Sequence, residues 1–330
     1  MRLSQAVNDL VTAAIADGRS HRTIGDYQQK LQPLVDFLDD KPIEDVTTSD
    51  LRAYVAHLRT RSTRYDAHPN RCQLRGGLSE ATVASNVRVV KRLFNFLHEE
   101  GVIAENPAAR LKTPKLKRGE PKAMSTENFV KLLDTIEEDT VLARRDRALL
   151  LVLADTACRV GGLIQLRIGD LDLASGQLYL REKGNKGRYA FITPMTQEAL
   201  KDWLEVRPTN KGDYLFVTLG SRGEDGLADQ GVREVLRRLK RKAGVKGPVN
   251  PHAFRHAFAR EYLTNGGDLA SLADIMGHSD VKVTWASYAI YRTEELKAKH
   301  ARNSPVAHLG QRVRRQARSA GLTDGAECVS

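Results

Sequence analysis

The chain has 330 residues, 41% of them hydrophobic and 28% charged, with a formal net charge of +11. That length can hold two separately cored domains, and the ordinary globular composition excludes a fibrous or disordered chain. The positive balance points to a polyanionic partner.

Three cysteines, Cys72, Cys158 and Cys328, stand far apart without a Cys-x-x-Cys pair. They make neither a disulfide framework nor a zinc site and point to a reducing cytoplasm. Residues 1–18 are amphipathic and contain acids, unlike a signal peptide. No apolar run reaches membrane-spanning length, so the expectation is a cytoplasmic protein without membrane contact.

Apolar residues recur at helical spacing from Leu3 to Ala16 and again over 23–38. Thr48-Ser49-Asp50 reads as the cap of a third helix over 51–58. A fourth opens at Ser79, lines one face with Val83, Val87, Val90, Leu93, Phe94 and Leu97, and ends at Gly101. Four such helices fit a small bundle. Between the third and fourth lies a stretch without periodicity that carries Arg59, Arg61, Arg64, Arg71 and Arg75. It reads either as a solvated loop or as an arm that follows a phosphate backbone. Residues 106–125 hold three prolines and several cations, among them Lys112, Lys115 and Lys117. They read as an extended basic linker whose lysines lie against phosphates.

The second half opens with a helix at Ser125-Thr126-Glu127, followed by a nearly all-apolar helix over 146–157. This helix runs into Arg159, a permanent cation at the edge of the core. Such a group needs anionic partners: a structural bridge to Asp155 or Asp170, or a phosphate. A strand over 177–181, a Lys183–Gly187 turn and a returning strand over 188–192 read as a hairpin. Helices follow over 196–203 and 229–243. The latter carries Arg233, Arg237, Arg238, Lys240, Arg241 and Lys242, and Arg237 and Arg241 are the leading candidates there for DNA contact. No nucleotide-binding fingerprint appears. The fold class is mainly α with a small antiparallel sheet.

The densest chemistry lies between Asn250 and Tyr291. His252 and Arg255 share one helical turn, His278 follows a glycine, and Tyr288 and Tyr291 come last. Arginine keeps its charge, histidine moves protons near neutral pH, and a tyrosine oxygen can attack phosphorus. The set, which has no metal-ligand pattern with it, suits metal-free attack on a phosphodiester.

The pieces TACRVGGL, EKGNKGR, PHAFRHAFA, MGHSD and VTWASYAIY, in this order, resemble the tyrosine recombinase family of phage and transposon integrases and Xer recombinases. The resemblance reaches from the N-terminal bundle to about residue 307. It implies a helical core-binding domain over 1–111, a basic linker over 112–124, a catalytic domain over 125–307 and a basic then polar tail over 308–330. It further implies that Arg159 and Arg255 grip the scissile phosphate, that His252 acts as general base and His278 as hydrogen-bond donor, and that Lys183 is the general acid. Tyr288, at the family's distance from His278, is the nucleophile.

The implied reaction passes through a 3′-phosphotyrosine and a Holliday junction in a homotetramer. It acts on double-stranded recombination sites without cofactor, metal or ATP, with a DNA-bending or directionality factor as a further partner. Gly161 and Gly162 depart from the pattern, standing where the family has Ser-Glu. The arginine-rich insertion and the tail lean toward a mobile-element integrase. The alternatives are an Xer-type resolvase, a topoisomerase of the same chemistry, and a DNA-binding protein that has lost strand exchange.

Overall fold

The computed structural model describes residues 1–64, 74–116, 122–136, 139–182, 186–209, 211–220, 226–277 and 293–306. The chain forms two compact units, Met1–Gly119 and Glu120–Ser330. Among the described residues, no helix is long and apolar enough to cross a membrane.

The first unit is built on α1 (Leu3–Ala16), α2 (His21–Phe37), α3 (Thr48–Thr60) and α4 (Glu80–Glu99). Helix α4 packs on the other three. Its apolar stripe, with Val83, Val87, Leu93, Phe94 and Leu97, meets Leu3, Leu31, Leu34 and Leu51 in one buried core. The start of α3 lies earlier than the sequence pattern indicates. Thr47 is the N-cap and shares a reciprocal capping box with Asp50, which leaves Thr48 inside the helix.

The helix also ends later than expected, at Thr60, so Arg59 belongs to α3, where it pairs with Glu80 at 3.1 Å. The stretch expected to be irregular begins and ends in a ladder: β1 (Thr63–Arg64) runs antiparallel to β2 (Leu74–Arg75). Leu111 and Ala108 are buried in this unit's core, so the segment taken as linker is anchored at its start.

In the second unit α5 (Thr126–Asp134) precedes α6 (Val141–Thr156), whose Leu149, Leu150, Val152 and Leu153 are fully buried. Helix α6 begins earlier than the apolar run, at the Thr140 cap; its first turn is not buried, and its second buries the charged pair Arg145 and Asp146 instead of hydrocarbon. Helices α7 (Val160–Gln165), α8 (Pro194–Val206), α9 (Asp229–Lys242), α10 (Pro251–Thr264) and α11 (Leu269–Met276) follow, with α12 (Thr293–Asn303) last. Helix α6 packs against α8, α10 and the sheet.

The sheet has three antiparallel strands in the order β3 (Leu171–Asp172), β4 (Gln177–Glu182), β5 (Lys186–Phe191). Strand β3 is too short to carry a period in the sequence. Strand β5 starts at Lys186, inside the stretch read as a turn. Gly187 pairs with Arg181 there, and a Cβ on it would collide with the Tyr179 hydroxyl. The glycine makes room for an aromatic ring and is not a turn residue.

Candidate active site

The ends of two helices meet at Arg255 of a third. Helix α6 stops at Thr156, and Ala157 takes the left-handed conformation (φ 49°) that turns the chain toward Arg159. An alanine there is strained by about 1 kcal/mol, so surrounding contacts must hold it. Helix α10 starts at the Asn250 cap, whose side chain accepts from the Ala253 amide, with Pro251 in its first turn. His252 and Arg255, three residues apart, then fall on one face. Helix α11 stops at Met276, and Gly277 makes its left-handed cap (φ 65°).

Arg255 is 5% exposed, and its fork joins the other two ends. Nη1 donates to the Ala157 carbonyl and Nη2 to the Met276 carbonyl, both at 2.6 Å. The Met276 carbonyl belongs to the last turn of α11, where helices lack internal partners. Arg255 thus fastens the turn before Arg159 and the helix end before His278 to its own helix.

Arg159 is the half-buried N-cap residue of α7. Neither acid anticipated for it takes that part. Asp155 accepts from the Thr193 amide and from the hydroxyls of Thr193 and Thr196, capping α8. Asp170 accepts from Arg181 and from the Arg167 amide. Asp155 is thus spent on a helix start 38 residues further along the chain, and Asp170 on its own turn and a neighbouring strand. Gly161 is exposed with open space around it, and Gly162 is buried, both inside α7.

His252 is exposed, yet the charges of Arg159 and Arg255 both reach it. Loss of hydration comes first, and then Arg233, Arg255 and Arg159, in pushing its imidazole below the ordinary histidine value; Asp229 pulls the other way. The ring is therefore held in its neutral, proton-accepting form at physiological pH. His256 is half-buried on the same helix and is also lowered, by burial and then by His252 and Arg255.

Asp229 and Arg233 were legible as an i, i+4 pair on α9, but nothing in the sequence says that they face His252. Arg233 Nε lies 2.6 Å from Asp229 Oδ1, and α9 packs on α7. Removing the cation with Arg233→Gln will raise the His252 pKa and, with His252 as the general base that the resemblance implies, move the acid limb of the cleavage rate to higher pH. Asp229→Asn will move it to lower pH. Single-turnover cleavage between pH 5 and 8 (about the range where histidine titrates) reads both, and shifts of the same sign would refute this account.

Helix α9 does not present all its cations outward. Arg238 is drawn in to the buried Asp146, and Arg233 is held by Asp229. Arg237 and Arg241 are exposed, as are Arg75, Lys112 and Lys115 in the first unit. Lys183, His278 and Tyr288 lie outside the described residues, as do Arg71, Lys117 and the side chain of Arg64. The structure thus brings Arg159, His252 and Arg255 together.

A helical unit followed by a helical unit with a small antiparallel sheet, the latter gathering Arg159, His252 and Arg255, is an architecture of the integrase class. Residues 122–295 match the model of the phage integrase family, and residues 12–101 match the N-terminal SAM-like domain of phage integrases. The chain belongs to the phage integrase family and is a tyrosine recombinase, an enzyme that cuts and rejoins DNA at specific sites.

It is 29% identical over 293 residues to the tyrosine recombinase XerD of Listeria monocytogenes, covering 86% of this chain and 93% of that protein. With the XerC of Oceanobacillus iheyensis it shares 29% over 302 residues, covering 89% and 93% of the two chains. Among solved structures, the Tn1549 transposon integrase in complex with a circular intermediate DNA superposes with a TM-score of 0.70 at 20% identity, covering 92% of this chain and 99% of that one. A lambda integrase dimer bound to a core site gives 0.66 at 19%, covering 88% and 100%. Both show the same fold.

Proposed function

We propose that this recombinase acts through a covalent 3′-phosphotyrosine formed by Tyr288. The observation that supports this reading is the convergence of Arg159, His252 and Arg255 in one site, with the histidine neutral beside two guanidiniums. A phosphodiester repels nucleophiles by its own charge, and more charge builds in the transition state. Forked guanidiniums on its non-bridging oxygens relieve both. A phenol has a pKa of about 10 and must lose its proton as it attacks. His252 takes that proton. The Tyr288 oxygen bonds to phosphorus, the bond to the 5′ oxygen breaks, and Lys183 gives the leaving oxygen its proton, while His278 donates to the phosphate. One phosphoester replaces another, so the bond energy is kept for rejoining.

In this reading residues 1–111 form the core-binding domain and 112–124 the linker, with 125–307 catalytic and 308–330 the tail. Arg64, Arg71, Arg75, Lys112, Lys115, Lys117, Arg237 and Arg241 contact the phosphate backbone of the recombination site. The enzyme works in the cytoplasm, on the nucleoid, as a tetramer that passes through a Holliday junction, with a DNA-bending or directionality factor as a further partner. It integrates and excises a mobile element. The second reading, an Xer-type resolvase, is favoured by the names of the curated relatives, and insertion assays set against plasmid-dimer resolution separate the two.

Covalent capture on nicked, randomised duplexes tests the nucleophile. Wild type will carry DNA through denaturation and Tyr288→Phe will not. Capture by the mutant would move the assignment to Tyr291. DNA binding by both proteins without capture by either would make the chain a DNA-binding protein that has lost strand exchange.

A further inference from the structure

The turn that leads from α6 to Arg159 is short, strained and held from outside. Thr156 is the last residue of α6 and is buried, so its carbonyl has no partner within the helix and none in water. Ala157 follows in the left-handed conformation, and Arg255 takes its carbonyl. The Cys158 amide turns back on the Thr156 hydroxyl at 3.3 Å. Arg159 comes next as the N-cap residue of α7.

The Thr156 carbonyl is taken by Arg188, whose Nη2 donates to it at 3.2 Å. Arg188 has no part in the scheme above, and its placement is costly. On the sheet, Leu178, Leu180 and Ala190 are buried on the inner face, whereas Tyr189 and Phe191 are 62% and 64% exposed on the outer face. Arg188 stands opposite Leu180 and so shares the inner face, where a guanidinium takes a place suited to leucine or valine. Burial pushes it below the ordinary arginine value, with Cys158 acting the other way. A cation so placed needs a compensating bond.

Two guanidiniums, one from β5 and one from α10, therefore sit on consecutive carbonyls just ahead of Arg159, and the charges of both reach the buried Cys158 between them. The two sides are unequal in firmness. Arg188 stands in a paired strand whose neighbouring inner residues are packed in the core, while the turn carries the strain of Ala157. Without Arg188 the buried Thr156 carbonyl has to find another partner, and the turn moves with it.

We propose that Arg188 is a positioning residue for Arg159: from the inner face of the sheet it fixes the turn that presents this arginine to the scissile phosphate. The inference rests on the assignment of Arg159 as a phosphate-gripping arginine.

The test replaces one non-bridging oxygen of the scissile phosphate by methyl in a nicked duplex, with the two diastereomers separated. The methylphosphonate is neutral, so it has far less need of a guanidinium than the charged diester. The bonds made and broken are unchanged: the Tyr288 oxygen bonds to phosphorus, and the 5′ oxygen leaves and takes a proton. Wild type, Arg159→Ala, Arg188→Gln and Arg188→Lys are compared in single turnover on both substrates, with DNA affinity and thermal unfolding measured beside them.

Arg188→Gln is expected to slow the phosphodiester by about tenfold to a hundredfold, the scale of a misplacement of about 1 Å, and to cut the methylphosphonate at nearly the wild-type rate. Arg159→Ala will show the same contrast more strongly. Arg188→Lys, which keeps the charge and one donor, will fall between wild type and Arg188→Gln, and it carries the comparison if the glutamine variant does not fold. Equal slowing of the Arg188 variants on both substrates, with Arg159→Ala restored by the methylphosphonate, overturns the inference and leaves Arg188 a part of the scaffold. Failure of the methylphosphonate to restore Arg159→Ala overturns the phosphate-gripping assignment, and the inference with it.

Discussion

Asp146→Ala will destabilise the second unit by about 3–5 kcal/mol, the usual cost of removing one member of a buried ion cluster. The carboxylate is 2% exposed. Its Oδ1 accepts from Arg145 Nε at 3.1 Å and Nη2 at 2.8 Å, and its Oδ2 accepts from Arg238. Arg145 also donates to the Val217 carbonyl at 3.2 Å. Burial pushes the Arg145 guanidinium down to about 10, so it stays charged at neutral pH. Without the aspartate, the buried Arg145 loses its counter-ion and Arg238 its inward partner.

Both tryptophans, Trp203 and Trp285, lie in this unit. Denaturant unfolding followed by tryptophan fluorescence therefore reports on it alone. A loss below about 1 kcal/mol, the value of an exposed pair, would refute the account. A triple variant with Asp146→Leu, Arg145→Met and Arg238→Met should recover most of the stability, because hydrocarbon of similar volume replaces such clusters well.

Arg255→Lys will damage both chemistry and structure. A lysine head is a compact donor and cannot reach two carbonyls in a forked geometry. The variant loses at least one charge-assisted bond to Ala157 or Met276, worth about 1.5–3 kcal/mol. Under the proposed mechanism it also loses a phosphate donor, a change that costs about a hundredfold to a thousandfold at comparable sites. Under the proposed mechanism Tyr288→Phe abolishes capture. If Arg255→Lys slowed cleavage but left the unfolding midpoint in place, the two carbonyl bonds would carry no structural weight.

Much of this architecture was legible in the residues. The stripe of α4, the Ser125 cap and the apolar run of α6 each state their element through period or capping chemistry. What escaped was carried by contacts far apart in sequence. Asp155 and Asp170 look like partners of Arg159 because they are close in the chain, yet turn amides and hydroxyls and Arg181 claim them. Arg238 reads as one more cation on a basic helix, and only the folded chain shows its ion pair with the buried Asp146 of α6. The grouping of Arg159, His252 and Arg255 could be expected from motif order, whereas the Asp229–Arg233 pair near His252 could not, since no local pattern records which face of α9 meets α7.

The double attachment of Arg255 also bears on how sequences related to this one are to be interpreted. An arginine that closes a site solely to grip phosphate is free to drift once catalysis is no longer under selection. This one fastens α6 and α11 to α10, so a descendant that had abandoned strand exchange would still need it in order to fold. Its presence in a genome-derived sequence therefore testifies to the scaffold. Evidence of a living enzyme has to come from residues without such a second duty, with the attacking tyrosine first among them.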